Sequence, residues 1–205
     1  VKPTAKLKNL KGNIYSVKAD LEISDPASRI SKMPTLEFYI GNSLYVRKTF
    51  GTEGTIEVSG LKPQTEYNVK AYFEYKNEKD QLVRSNIGEF KVSTLDISNV
   101  EKLKLSIDNI KTYPNYAELN NIRLDNKETD EVLKGLKSLQ LSIGKNNYQI
   151  STSLIRKLVK LDPINYSTAK TLKSNTKYDL KFIATDLVGN ELEIEYDDIS
   201  FKTLK

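Results

Sequence analysis

From Tyr15 to Ser24 the chain alternates: Tyr15, Val17, Ala19, Leu21 and Ile23 are apolar, and Ser16, Lys18, Asp20, Glu22 and Ser24 are polar. Successive side chains of a strand point to opposite faces, so a period of two predicts a half-buried strand. Ser24-Asp25-Pro26 ends it, because proline gives a ladder no N–H and restricts the residue before it. Leu36 to Ile40 alternates again, and Gly41-Asn42 reads as a hairpin turn. Thr55 to Val58 is a short strand stopped by Ser59-Gly60, and Val69, Ala71, Phe73 and Tyr75 mark a longer one-sided strand. Asn77 to Asp80 is a polar turn, and Gly88 to Thr94 closes the series. Seven short strands at this spacing, with no long helix, predict a Greek-key β-sandwich.

The pattern occurs twice. Leu61-Lys62-Pro63-Gln64-Thr65-Glu66-Tyr67 returns as Leu172-Lys173-Ser174-Asn175-Thr176-Lys177-Tyr178, an offset of 111, which also carries Phe90-Lys91 onto Phe201-Lys202. Leu36-Glu37-Phe38-Tyr39-Ile40-Gly41 matches Leu139-Gln140-Leu141-Ser142-Ile143-Gly144, and Tyr45 matches Tyr148, both at an offset of 103. Ordered self-similarity of this kind predicts two tandem domains, 1–95 and 96–205, both all-β. In the second copy Leu103, Leu105 and Ile107 open the series. Tyr178, Leu180, Phe182 and Ala184 make the central strand, Leu187-Val188-Gly189-Asn190 a turn, and Leu192, Ile194 and Tyr196 alternate before Ile199-Ser200-Phe201. Two segments depart from strand spacing: Val132, Leu133 and Leu136 after an N-cap at Thr129-Asp130, and Leu154, Ile155, Leu158 and Val159. Short helical turns or irregular loops are expected there. Thr94 to Val100 has no Gly or Pro, so a stiff junction is expected rather than a flexible linker.

Composition narrows the chemistry. Among 205 residues, 38% hydrophobic, no apolar run approaches the ~18 residues of a membrane-spanning helix. The absence of His removes the commonest general base, the usual zinc ligand and the near-neutral pH switch, and the absence of Cys removes disulfides. The net charge of +5 is spread among interleaved acids and bases, without the clustered basic patch that nucleic-acid binding requires. Glu191, Glu193 and Glu195 alternate, and Asp197-Asp198 are adjacent. A glycosidase needs two carboxylates facing across a cleft, whereas alternation predicts a solvated edge, which also discourages sheet-to-sheet aggregation. Asp186, Asn190 and Glu191 surround a turn and could offer oxygens to calcium, but EF-hand spacing is missing. Without His there is no Ser-His-Asp triad, no motif supports Ser-Lys chemistry, and there is no Gly-rich phosphate loop. The chain is therefore read as a non-enzyme without metal or cofactor. Binding is expected instead at a tyrosine cluster (Tyr39, Tyr45, Tyr72, Tyr75) or in the loops around 26–34 and 145–168.

The stretch Leu61-x-Pro63-x-Thr65-x-Tyr67 resembles the turn into the sixth strand of fibronectin type III domains, within the wider immunoglobulin-like sandwich class. The resemblance implies a structural tyrosine corner at Tyr67 and at Tyr178, each hydroxyl bonding back to the backbone. Ser174 replaces the proline in the second copy, and neither copy has the family's usual tryptophan. The Lys-, Asn- and Ile-rich style resembles proteins of AT-rich bacteria, mycoplasmas or their phages. By that resemblance the chain is a monomeric fragment of a bacterial surface protein, extracellular, acting as a stalk or adhesive unit toward a protein or glycan. A phage tail or baseplate protein of the virion, or an accessory region of a secreted protease or cell-wall hydrolase, is the alternative. No nucleic acid and no membrane insertion are expected.

Overall fold

The computed structural model describes residues 1–51 and 54–205; it is all-β apart from two short helices, and it divides into two compact units, Val1–Ser98 and Asn99–Lys205. The first unit contains β1 (Thr4–Gly12), β2 (Ser16–Ser24), β3 (Ile30–Ile40), β4 (Ser43–Thr49), β5 (Thr55–Ser59), β6 (Glu66–Lys76) and β7 (Leu82–Ser93). They form two antiparallel sheets, in the orders β1-β2-β5 and β4-β3-β6-β7. The alternating apolar sets face each other between the sheets: Val17, Ala19, Leu21, Ile56 and Val58 from one, Leu36, Phe38, Tyr67, Val69 and Ala71 from the other. Gly41 has φ +59° as the first of two residues between the paired Ile40 and Ser43, a backbone state that suits glycine in a tight hairpin. Because β3 already begins at Ile30, the loop expected around 26–34 is confined to the stretch before that residue.

The second unit repeats the plan with β8 (Leu103–Thr112), β9 (Ala117–Leu124), α1 (Glu131–Gly135), β10 (Leu136–Ile143), β11 (Asn146–Gln149), α2 (Thr152–Val159), β12 (Ile164–Ser167), β13 (Lys177–Asp186), β14 (Glu191–Leu192), β15 (Ile194–Glu195) and β16 (Ile199–Lys202). One sheet runs β12-β9-β8-β15; the other runs β11-β10-β13-β14, with β16 also on β13. The two hairpins matched in sequence coincide in structure: Gly144 also has φ +59° between paired residues, Ile143 and Asn146. Both helical spacings give helices, although Leu136, counted in the first, is extended and opens β10. The Ser151 hydroxyl caps α2 by accepting from Leu154 N–H at 3.4 Å, and Ile155 and Leu158 are buried beneath it. Asp130 sits at the N-cap of α1 without capping it; its carboxylate accepts instead from Lys127 N–H and Asn126 Nδ2. Helix α2 and strands β11 and β12 occupy most of 145–168, so this segment is not the open loop that the sequence led us to expect.

The largest departure from the expected pattern lies in the last strand. Leu192, Ile194 and Tyr196 alternate but do not share one strand. Leu192 pairs with Ala184 of β13, whereas Ile194 crosses to pair in parallel with Leu103 of β8. Leu103 N–H donates to the Glu193 carbonyl at 2.9 Å. The chain then returns, and β16 pairs with β13 from Lys177 to Leu180. In the gap on β13 the Tyr196 hydroxyl accepts from Phe182 N–H at 3.3 Å, standing in for the missing ladder partner. The corresponding β7 of the first unit stays on β6 along its whole length.

Candidate functional site

Each unit carries, at one pole, the same hydrogen-bonded frame. In the first, Lys62 N–H donates to the Tyr67 hydroxyl at 2.8 Å; in the second, Lys173 N–H donates to the Tyr178 hydroxyl at 2.9 Å. Gln64 and Asn175 reverse the chain at φ +46° and +50°. The following threonines close the turn, Thr65 Oγ1 donating to Pro63 O at 2.7 Å and Thr176 Oγ1 to Ser174 O at 2.8 Å. This side-chain bond keeps the turn in place where Ser174 replaces proline.

A second threonine, just past the last strand, fastens each frame. Buried Thr94 accepts from Thr65 N–H at 3.0 Å and donates to Lys62 O at 2.6 Å. Buried Thr203 accepts from Thr176 N–H at 3.0 Å and donates to Lys173 O at 2.6 Å. The next residue ties in the pole: Leu95 N–H donates to Asn13 O at 2.9 Å, and Leu204 N–H to Tyr113 O at 3.2 Å. These equivalences correct the sequence alignment. Tyr67 pairs with Val92 and Tyr178 with Phe201, so Phe201 corresponds to Val92 and not to Phe90. The second copy is two residues shorter on the way to its last strand. The shared dipeptides Thr94-Leu95 and Thr203-Leu204 carry this register in the sequence.

The two corners differ in burial. Tyr67 is fully buried, its ring meeting Phe38 and Tyr45 edge-on at centroid distances of 5.8 and 5.7 Å. Burial pushes its phenol up to about 12, although the Lys62 N–H bond pulls the other way. Tyr178 is half-buried and leans on Phe201 at 5.9 Å. In both frames the tyrosine and threonine hydroxyls fix the backbone.

The other candidates fall to structural roles. Asp186 Oδ1 accepts from Val188 and Asn190 N–H, and Oδ2 from Asn190 Nδ2, so both oxygens of this candidate calcium ligand hold their own turn. Glu191, Glu193, Glu195, Asp197 and Asp198 are exposed, with Glu193 beside Lys102 Nζ at 3.6 Å. Among the described residues no group of three or more acidic side chains is gathered as a metal site, and no helix is long and apolar enough to cross a membrane. The tyrosines expected to cluster are mostly occupied. Tyr45 donates to Gly60 O at 2.8 Å, Tyr75 is buried, and Tyr72 is buried under the Arg84 guanidinium, 4.0 Å from the ring centroid. Tyr39 is half-buried beneath Lys70 Nζ at 4.8 Å. A depression of about 390 Å³ lies beside Arg29, Tyr75, Asn77 and Lys79, where Arg29 Nη1 donates to Asn77 O at 2.9 Å.

No family model and no curated protein matches the chain. Among solved structures, the chicken CNTN1 FN1–FN3 domains are similar at 15% identity and a TM-score of 0.38, covering 100% of this chain and 68% of that one. The fibronectin(III)-like modules of Clostridium thermocellum CbhA are similar at 14% identity and a TM-score of 0.32, covering 98% and 94%. By strand order, both units are Greek-key β-sandwiches.

Proposed function

We propose that the chain is a non-catalytic module of a bacterial cell-surface protein, working outside the cell as a stalk or adhesive unit. The observation that carries this reading is the frame built twice from Tyr67 and Thr94 and from Tyr178 and Thr203. The tyrosine and threonine hydroxyls are bonded here to the protein's own backbone, as a structural scaffold requires. The Lys-, Asn- and Ile-rich composition supports the bacterial setting. An adhesive contact with a protein or glycan would form at the depression beside Arg29, since sandwich scaffolds carry binding on the loops between strands.

Size exclusion with light scattering on the purified chain tests the proposal. A monomer near 23.3 kDa is expected. A closed trimer or hexamer would count against a surface stalk and in favour of a tail or baseplate component. For the monomer, saturable binding on arrays of glycans and matrix proteins, lost on Arg29→Ala, would mark the adhesive form of the role. Its absence would leave the stalk.

A further inference from the structure

Tyr113 and Tyr116 flank the two-residue turn Pro114-Asn115 between β8 and β9, with Tyr113 N–H donating to Tyr116 O at 3.0 Å. Their rings lie parallel within 2°, centroids 4.2 Å apart. The tyrosine pairs Tyr45–Tyr67 and Tyr148–Tyr166 instead meet edge-on, at 5.7 and 6.5 Å. Lys111 Nζ stands 5.4 Å from the Tyr113 ring and Lys170 Nζ 5.8 Å from the Tyr116 ring, so the stacked pair is flanked by two ammonium groups. Both tyrosines are half-exposed, within reach of a solvent-borne oxidant, whereas Tyr15 and Tyr67 are fully buried.

We propose that Tyr113 and Tyr116 form an oxidative cross-linking site, coupled into an intramolecular dityrosine by a one-electron oxidant of the peroxidase class acting with hydrogen peroxide. Each phenol loses one electron and, to water, one proton, giving two phenoxyl radicals. The ring carbons ortho to the two oxygens join in a new carbon–carbon bond. Their hydrogens then move to the oxygens, restoring two phenols. Overall two electrons and two protons leave the pair, and one hydrogen peroxide takes them up to become two waters. Fixed stacking makes the coupling a local event rather than an encounter between molecules, and proximity of this kind is worth a large effective concentration. The product would staple the turn that also receives Leu204 N–H at Tyr113 O and Leu172 N–H at Asn115 O, locking the pole of the second unit covalently.

The sequence supplies a clean readout. Cleavage by trypsin after Lys111 and after Arg123 releases Thr112–Arg123, a peptide holding both tyrosines and no other. The intact chain, dilute, is treated with peroxidase and limiting hydrogen peroxide, and the monomer fraction is digested. The peptide is expected to become lighter by two hydrogen masses as dityrosine fluorescence appears. Both signals should be lost in Tyr113→Phe and in Tyr116→Phe, which keep the stacked rings; circular dichroism confirms their folding. An unchanged peptide in the treated wild-type monomer, or dityrosine that maps to other tyrosines or only to cross-linked dimers, would overturn the proposal, and neither result depends on how the variants fold.

Discussion

Tyr67 and Tyr178 make the same bond at different depths, and the depth decides what each is worth. Lys62 is half-buried and the Tyr67 ring wholly so, whereas Lys173 is exposed. Tyr67→Phe strands a donor away from water and should cost about 1–3 kcal/mol in chemical denaturation. Tyr178→Phe lets water take the phenol's place and should cost less than ~1 kcal/mol. Thr94→Val and Thr203→Val each remove a buried hydroxyl that both accepts and donates. Each should destabilise its own unit by about 1–3 kcal/mol by the same measurement. The Tyr67 phenol also sets a pH limit. Its folded pKa, about 12, is raised above the ordinary 10.0. The stabilisation it contributes is therefore complete below pH 10 and lost as pH rises through about 12. Asp20, Glu22 and Asp108 are lowered by their hydrogen bonds, so they contribute above the ordinary carboxylate range and lose it as pH falls through their folded values. All three lie at the surface, so the acid limb should be the shallow one. With no His, the thermal midpoint should be nearly flat from about pH 6 to about pH 9 and then fall on the alkaline side. At this scale the sequence marked the residues that follow each Leu-Lys pair. It hid Thr94 and Thr203, because an attractive Phe-Lys match held the last strands two residues out of register.

Among the elements, the matched hairpins differ in what surrounds their glycines. Gly41 has open space around it, whereas a Cβ at Gly144 would stand 3.0 Å from the Tyr178 ring. Gly41→Ala should therefore cost only the left-handed backbone penalty of roughly 1–2 kcal/mol. Gly144→Ala should cost more, because the ring must also shift; paired thermal melts would rank them. Amphipathic spacing made α1 and α2 legible as departures from strand, since a buried stripe at helical period is a local property. The split of the last strand into β14, β15 and β16 was not legible. Alternation at Leu192, Ile194 and Tyr196 says that these side chains face inward, but not which sheet supplies the backbone partner. That choice is made by Leu103 and Phe182, distant in sequence, whose N–H groups donate to the Glu193 carbonyl of the crossing strand and to the Tyr196 hydroxyl.

At the scale of the whole molecule, each unit closes a core of its own. Val17, Leu36, Phe38 and Val69 belong to one, and Leu105, Leu119, Leu141 and Phe182 to the other. Each also fastens its own pole through its own threonine and tyrosine. The internal repeat exposed this duplication directly, because both copies must solve the same burial problem with the same residues at the same turns. Function was harder to read for the same reason: the repeated residues are those that hold the fold, and a ligand-binding surface need not repeat. The most direct measurement of self-sufficiency is scanning calorimetry on residues 1–98, residues 99–205 and the intact chain. Each half should unfold alone in a single cooperative transition. A half without a transition of its own would contradict a scaffold built from two independent sandwiches.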